Sequence, residues 1–150
     1  MELAPGTAEA YVRHAFAQML EVADRLGESL INQRPLGPKT NAVAALIIHC
    51  CAVAEFWLGH VALGYPTDRD RDSEFSGTAT LAELHEMVNE TVGRAIAHIG
   101  RLEAGGGSDA GGRQFLLEGD TSDASVVVHV LEELYQHLGH MELAADALGD

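Results

Sequence analysis

The segment HVLEELYQHLGHMELAADAL, residues 129–148, places four polar side chains on one stripe of a predicted helix. At 3.6 residues per turn, His129, Glu133, His137 and His140 fall within roughly 80° of one another around the helix axis. Apolar residues flank this stripe, which is typical of a helix face turned toward a core. Burying one carboxylate and three imidazoles is costly unless another group organises them. The stripe therefore predicts a partner group contributed from elsewhere.

A second helix-like run, NAVAALIIHCCAVAEFWLGHV, carries His49 among apolar residues and can provide that partner. A divalent metal ion is the simplest organiser. Glu133 and His137 are one helical turn apart, a spacing that lets two side chains bind one ion. With His49 from a facing helix, the set suits Zn²⁺ with an open fourth position, and also Ni²⁺, Mn²⁺ or Fe²⁺. His129 and His140 are alternative ligands, or residues that line the pocket or hydrogen-bond to a ligand.

Simpler interpretations stay open beside the metal hypothesis. Glu133 and His137 alone also fit an ordinary ion pair on a helix surface. A purely structural bundle without metal is the alternative for the whole stripe. Four further histidines are interpreted as structural: His14, His60, His85 and His98.

Composition restricts the broad class of the protein. The chain has 150 residues, of which 47% are hydrophobic, enough for one domain, 1–150, with a proper core. The net charge of −14 argues against nucleic-acid binding. There is no uninterrupted apolar run of about eighteen residues, so no membrane span is expected. Cys50 and Cys51 are adjacent and are interpreted as small buried side chains with free thiols, which fits a reducing compartment. The N-terminus lacks a secretory signal pattern. Both features predict a cytoplasmic location.

Hydrophobic periodicity predicts four long helices and an all-α fold. The first helix covers residues 7–30, and the second covers 40–63 with Thr40 as its N-cap. The third covers 80–101, and the fourth runs from a cap within 121–123 to residue 148. Three consecutive valines near the start of the fourth helix leave a short strand as an alternative there. The pattern predicts an antiparallel four-helix bundle with longer loops between helices two and three and between helices three and four.

These same residues make the chain similar to the DinB-like superfamily of four-helix metalloproteins. The superfamily includes bacterial thiol-dependent S-transferases and mycothiol-dependent maleylpyruvate isomerases. The resemblance covers nearly the whole chain and rests on TNAVAALIIHCCAVAEFWLGHV, on the loop RDRDSEF and on HVLEELYQHLGHMELAADAL. Members commonly have one histidine ligand in the second helix and two ligands four residues apart in the last, which implies His49, Glu133 and His137. Many members have histidine at both last-helix positions, whereas the isomerase-like branch resembles this chain, with glutamate and then histidine.

The resemblance also implies a function. It points to a metal-dependent transferase that activates a low-molecular-weight thiol, of the mycothiol or bacillithiol type, for attack on a small electrophile. His140 or His129 would accept the thiol proton, and Arg69 and Arg71 would orient a carboxylate of the thiol or substrate. Ordinary solvated loop charge is the alternative for the two arginines. A thiol-dependent isomerase of the maleylpyruvate type and a non-catalytic metal-binding stress protein are the alternative functions. Relatives are often dimers, so a homodimer is an expectation as well.

Overall fold

The computed structural model describes residues 4–108, 112–116 and 120–149, and regular structure within these residues is entirely helical. The helices are, in chain order, α1 (Thr7–Leu26), α2 (Val43–Ala54) with a π-helical continuation (Glu55–Val61), the single turn α3 (Arg71–Glu74), α4 (Leu81–Glu103), a 3₁₀ turn (Arg113–Phe115) and α5 (Asp123–Gly149). The prediction of an all-α fold is confirmed for the described residues. The alternative of a short strand is wrong, because the three valines lie within α5.

Two predicted helix boundaries are wrong, and local turns explain both. α1 ends at Gly27, whose φ of 84° lies in the left-handed region that favours glycine and whose N–H donates to the Ala23 carbonyl. α2 starts after Ala42 and not after Thr40. The Thr40 hydroxyl accepts a hydrogen bond from the Leu36 N–H and donates one to the Gly37 carbonyl, so it stabilises the preceding turn.

The other two long helices begin where the sequence predicts. Thr80 and Glu83 form a reciprocal capping box at the start of α4, in which each side chain accepts a hydrogen bond from the other residue's N–H. The Ser122 hydroxyl accepts from the Ser125 N–H at the start of α5. The sequence pattern did not predict α3, which lies in the charged connection between α2 and α4. Part of the connection between α4 and α5 (109–111 and 117–119) lies outside the described residues.

α1 and α2 each pack against both α4 and α5, so the long helices share one apolar core. The segment Val43–Val61 is long and apolar enough to cross a membrane by length and composition alone. However, 72% of it is buried inside the protein, as expected for a core helix. Burying each large apolar side chain contributes about 1.5–3 kcal/mol, and this central segment contributes several of them. Its burial against α5 places His49 opposite the polar stripe of that helix.

Cys50 and Cys51 are free thiols in the buried face of α2. Burial raises the pKa of the Cys51 thiol to about 12. Burial also raises the pKa of Cys50, and the negative charges around it add to the shift. Both side chains therefore stay protonated at neutral pH and pack as small apolar groups.

The capping box gives a prediction for stability. Thr80→Ala removes the hydroxyl that accepts from the Glu83 N–H, and we expect the free energy of unfolding to fall by about 1 kcal/mol. Urea denaturation followed by circular dichroism measures the change. Thr78→Ala, at an exposed position two residues earlier, serves as the matched control. Equal stabilities for the two variants would contradict a capping role for Thr80.

Candidate metal centre

Three residues from two helices that pack against each other converge in space. His49 lies on α2, and Glu133 and His137 lie one turn apart on α5. One ligand atom from each residue lies within 4.8 Å of the other two. The structure thus brings together the three residues whose types and spacing suggested a metal site.

The spacing of these atoms fits a shared cation better than direct hydrogen bonds. Glu133 Oε2 lies 3.4 Å from His137 Nε2 and 3.8 Å from His49 Nε2. Both distances exceed the usual 2.7–3.2 Å range of N–H···O hydrogen bonds. Ligand atoms arranged tetrahedrally about 2.1 Å from a zinc ion are separated by roughly 3.4 Å. The donor set and its spacing therefore fit a divalent metal ion held by two imidazoles and one carboxylate.

The opposite side of the His49 ring is bound to a buried glutamate. His49 Nδ1 lies 2.6 Å from Glu74 Oε2, and both side chains are almost completely buried. Arg69 in turn donates to both carboxylate oxygens of Glu74, with distances of 2.7 and 3.0 Å. The ring of Phe75 packs on the His49 ring at a centroid distance of 4.5 Å. Residues in or next to α3 therefore fix the position of His49, the candidate metal ligand on α2.

Glu74 is a buried carboxylate that remains ionised. Burial by itself raises its pKa, but the hydrogen bonds from Arg69 and His49 and the positive charge of Arg69 outweigh burial, so the net pKa lies below the usual value. An ionised carboxylate only accepts hydrogen bonds. His49 Nδ1 must therefore carry the proton in this contact, which leaves the lone pair of neutral His49 on Nε2, facing Glu133 and His137.

His137 is also suited to act as a neutral ligand. Burial lowers its pKa, the neighbouring His49 and His140 rings lower it further, and the Glu133 carboxylate only partly offsets these effects. Its ring meets the His49 ring edge-on at a centroid distance of 4.6 Å. A metal-binding imidazole must be unprotonated at the ligand nitrogen. The environment of His137 therefore favours the form that binds a cation.

A cavity of about 760 Å³ opens beside the three converging residues. His49 and Glu133 contribute to its wall. Phe56 and Trp57, from the π-helical continuation of α2, form an aromatic part of the wall, and π-helical turns frequently mark functional sites. The polar part comes from the connection that precedes α4: Thr67, Asp68, Arg69 and Arg71. An ion at the three donors would lie next to space large enough for a small molecule.

The two histidines predicted to accept a proton lie in different places. His129 lines the large cavity, and its ring packs edge-on against Trp57 at 4.4 Å. His140 lies 5.5 Å from the His137 ring but lines a separate cavity of about 330 Å³. His129 therefore shares a cavity with His49 and Glu133, whereas His140 does not.

The two predicted binding arginines also differ. Arg69 lines the cavity, yet its guanidinium is hydrogen-bonded to Glu74 and lies 5.0 Å from the Phe56 ring centroid. Arg71 is exposed and lies 5.4 Å from the Phe75 ring centroid. Arg69 is thus engaged within the protein, and Arg71 is the better placed of the two to meet an anionic group in the cavity.

Comparison with known protein families identifies the superfamily of the chain. The model of the DinB superfamily matches residues 11–141 of the chain. The chain belongs to the DinB superfamily. No curated protein and no solved structure shows significant similarity to the chain. This superfamily member carries its candidate ligands at His49, Glu133 and His137, all within the matched range.

Sequence reasoning missed Glu74 as part of the site. Glu74 lies in the run TDRDRDSEF, in which four acidic residues and two arginines are typical of a solvated loop. Nothing in the local pattern distinguishes it from Asp68, Asp70 or Asp72. The adjacent Phe75 was the one available signal, since an apolar residue in a charged run indicates a point where the chain turns toward the core.

Metal binding to the folded state gives the prediction for this site. Zn²⁺ at 100 times its dissociation constant should raise the free energy of unfolding by about 2.7 kcal/mol, because the three donors converge only in the folded protein. His137→Ala should abolish most of this stabilisation, as measured by thermal unfolding with and without Zn²⁺. His85→Ala is the control, since His85 is half-exposed and paired with Asp24 away from the site. Stabilisation of the His137 variant as large as that of wild type would exclude His137 as a ligand.

Proposed function

We propose that this protein is a metal-dependent transferase that activates a low-molecular-weight thiol, of the mycothiol or bacillithiol type, for attack on a small electrophile. The observation that carries the proposal is the convergence of three protein donors, two of which, His49 and Glu133, line a cavity of about 760 Å³. Three protein ligands leave room for a further ligand from solution, which is the arrangement of reactive and not structural metal sites. Zn²⁺ fits the donor set best, and Ni²⁺, Mn²⁺ or Fe²⁺ also fit.

A divalent ion bound to these donors would supply Lewis acidity that favours ionisation of a thiol at neutral pH. His129 is the proposed proton acceptor, since it lines the same cavity and histidine exchanges protons near neutral pH. Its packing against Trp57 restricts the orientation of its ring. The sulfur then bonds to the electrophilic carbon, the leaving group departs with the bonding electron pair, and the thiol proton passes through His129 to solvent.

The remaining residues of the cavity wall would bind the reactants. Phe56, Trp57 and Val53 offer apolar surface to the electrophile and exclude water from one side. Arg71 would orient a carboxylate of the thiol or substrate, because its guanidinium can form two parallel hydrogen bonds with such a group. We assign this role to Arg71 and not to Arg69, whose guanidinium is bound to Glu74.

We further infer that the long helices form the antiparallel four-helix bundle predicted from the sequence. The packing of α1 and α2 against both α4 and α5 supports this arrangement. In such bundles, metal sites are built from inward side chains on facing helices, as His49 and Glu133 are here. Cytoplasmic location and formation of a homodimer stay predictions.

A direct assay tests the proposed activity. The Zn²⁺-loaded protein is incubated with mycothiol or bacillithiol and an aryl halide, and conjugate formation is measured by mass spectrometry. Steady formation of the thioether, dependent on Zn²⁺ and lost in His49→Ala, is the expected result. Return of the thiol unchanged during isomerisation of a cis-unsaturated keto acid would instead identify a thiol-dependent isomerase. Absence of both reactions in metal-loaded protein would overturn the enzymatic proposal in favour of a non-catalytic metal-binding protein.

A second prediction concerns the proton acceptor. His129→Ala should lower kcat about 100-fold while leaving Zn²⁺ affinity within a factor of two, because His129 lines the cavity without being one of the three donors. Steady-state kinetics and a Zn²⁺ titration give the two quantities, with His14→Ala as an exposed control on α1. If His140→Ala and not His129→Ala lost activity, the assignment of the proton acceptor would be wrong.

A further inference from the structure

Glu74 is the single buried carboxylate among the described residues, with 5% of its surface exposed. It lies on the far side of His49 from the three converging donor atoms, so it is not itself a donor to a shared cation. A buried charge is costly unless it is compensated, and a solvated carboxylate would avoid that cost. The burial of Glu74 therefore calls for an explanation beyond ordinary loop structure.

We propose that Glu74 is a positioning residue for the metal ligand His49, and that Arg69 holds Glu74 in place for this purpose. The inference rests on the proposed metal site. Glu74 Oε2 accepts a hydrogen bond from His49 Nδ1 over 2.6 Å. Nδ1 and Nε2 lie on different edges of the imidazole ring, so this contact sets which nitrogen carries the proton. The Nε2 lone pair then points toward Glu133, 3.8 Å away.

Arg69 makes the position of the Glu74 carboxylate specific. Its Nε donates to Oε1 over 2.7 Å and its terminal nitrogen donates to Oε2 over 3.0 Å, so the two planar groups meet in a fork. Oε2 is therefore shared between Arg69 and His49. Because the guanidinium is planar and lies against Phe56, the carboxylate is restrained in both rotation and translation. A lysine ammonium would supply the charge without this geometry.

The arrangement places two constraints on the His49 ring. The hydrogen bond from Nδ1 restrains rotation about the bond that joins the ring to the side chain, and the Phe75 ring packs on its face at 4.5 Å. Partners of this kind hold a ligand in its binding orientation and make the ligand nitrogen more basic. The loss of such a partner typically weakens metal binding by about 10- to 100-fold. Glu74 should therefore act on metal affinity through His49 without touching the ion.

Metal titration of five purified proteins tests the proposal: wild type, Glu74→Ala, Glu74→Gln, Asp72→Asn and Arg69→Lys. Zn²⁺ affinity is measured by competition with a chromophoric chelator. Glu74→Ala is expected to weaken binding about 10- to 100-fold. Asp72→Asn is the matched control, because it neutralises an exposed carboxylate on the same helical turn, α3, and should bind within twofold of wild type. Arg69→Lys should give a loss smaller than that of Glu74→Ala, since the charge remains and the fork does not.

A spectroscopic readout separates positioning from general damage to the fold. Long-range ¹H–¹⁵N correlation spectra of the metal-free proteins report the tautomer of His49, with a His49→Ala spectrum to assign its signals. We expect the Nδ1–H tautomer in wild type and Glu74→Gln, since the Gln carbonyl also accepts a hydrogen bond, and a mixture of tautomers in Glu74→Ala. Glu74→Gln should nevertheless bind Zn²⁺ about tenfold more weakly, because the negative charge is lost.

The outcomes are distinct. Zn²⁺ affinity of Glu74→Gln equal to that of Asp72→Asn would overturn the inference, and so would an unchanged tautomer and affinity in Glu74→Ala. If Glu74→Ala fails to fold by circular dichroism, the near-isosteric Glu74→Gln decides the question. Failure of wild type itself to bind Zn²⁺ or the other divalent ions would refute the metal site and the proposed function together. Zn²⁺ binding with a loss in Glu74→Gln but without thiol transfer would support the positioning role and refute only the proposed reaction.

Discussion

The burial of His49 is the constraint on which the site depends. Only 2% of its surface is exposed, so both ring nitrogens require partners within the protein. Nδ1 donates a hydrogen bond to Glu74, and Arg69 in turn compensates the charge of Glu74. Nε2 faces Glu133 and His137 at distances that suit a shared cation. One buried imidazole thus joins the connection between α2 and α4 to the polar stripe of α5.

The long helices and the connection between α2 and α4 contribute different parts of the site. α2 and α5 hold His49, Glu133 and His137 on regular backbone, which limits the movement of the donors relative to one another. The connection that contains α3 supplies Arg69 and Glu74, and it also forms the polar wall of the cavity. Because the same segment orients a ligand and lines the cavity, changes in this connection are expected to affect both metal affinity and substrate binding.

The electrostatics of the site are local and do not follow from the acidic character of the chain. The net charge is −14, yet the buried carboxylate of Glu74 is matched by Arg69. Glu133 instead faces two imidazoles, of which His137 has a pKa lowered mainly by burial. A divalent cation would compensate the negative charge of Glu133 and accept the lone pairs of both imidazoles. This local balance favours metal binding more strongly than the overall composition does.

The sequence by itself determined the helical content, the start of α4 near Thr80 and the residues that share a face of α5. These are local properties, because helical periodicity and capping act over a few residues. The tertiary structure decided which acidic residue of TDRDRDSEF becomes buried, which cavity His129 and His140 line, and that Thr40 stabilises a turn instead of capping α2. Those outcomes depend on contacts between residues that the local pattern does not pair: Glu74 is buried where Arg69 compensates its charge and where the distant His49 donates a hydrogen bond to it.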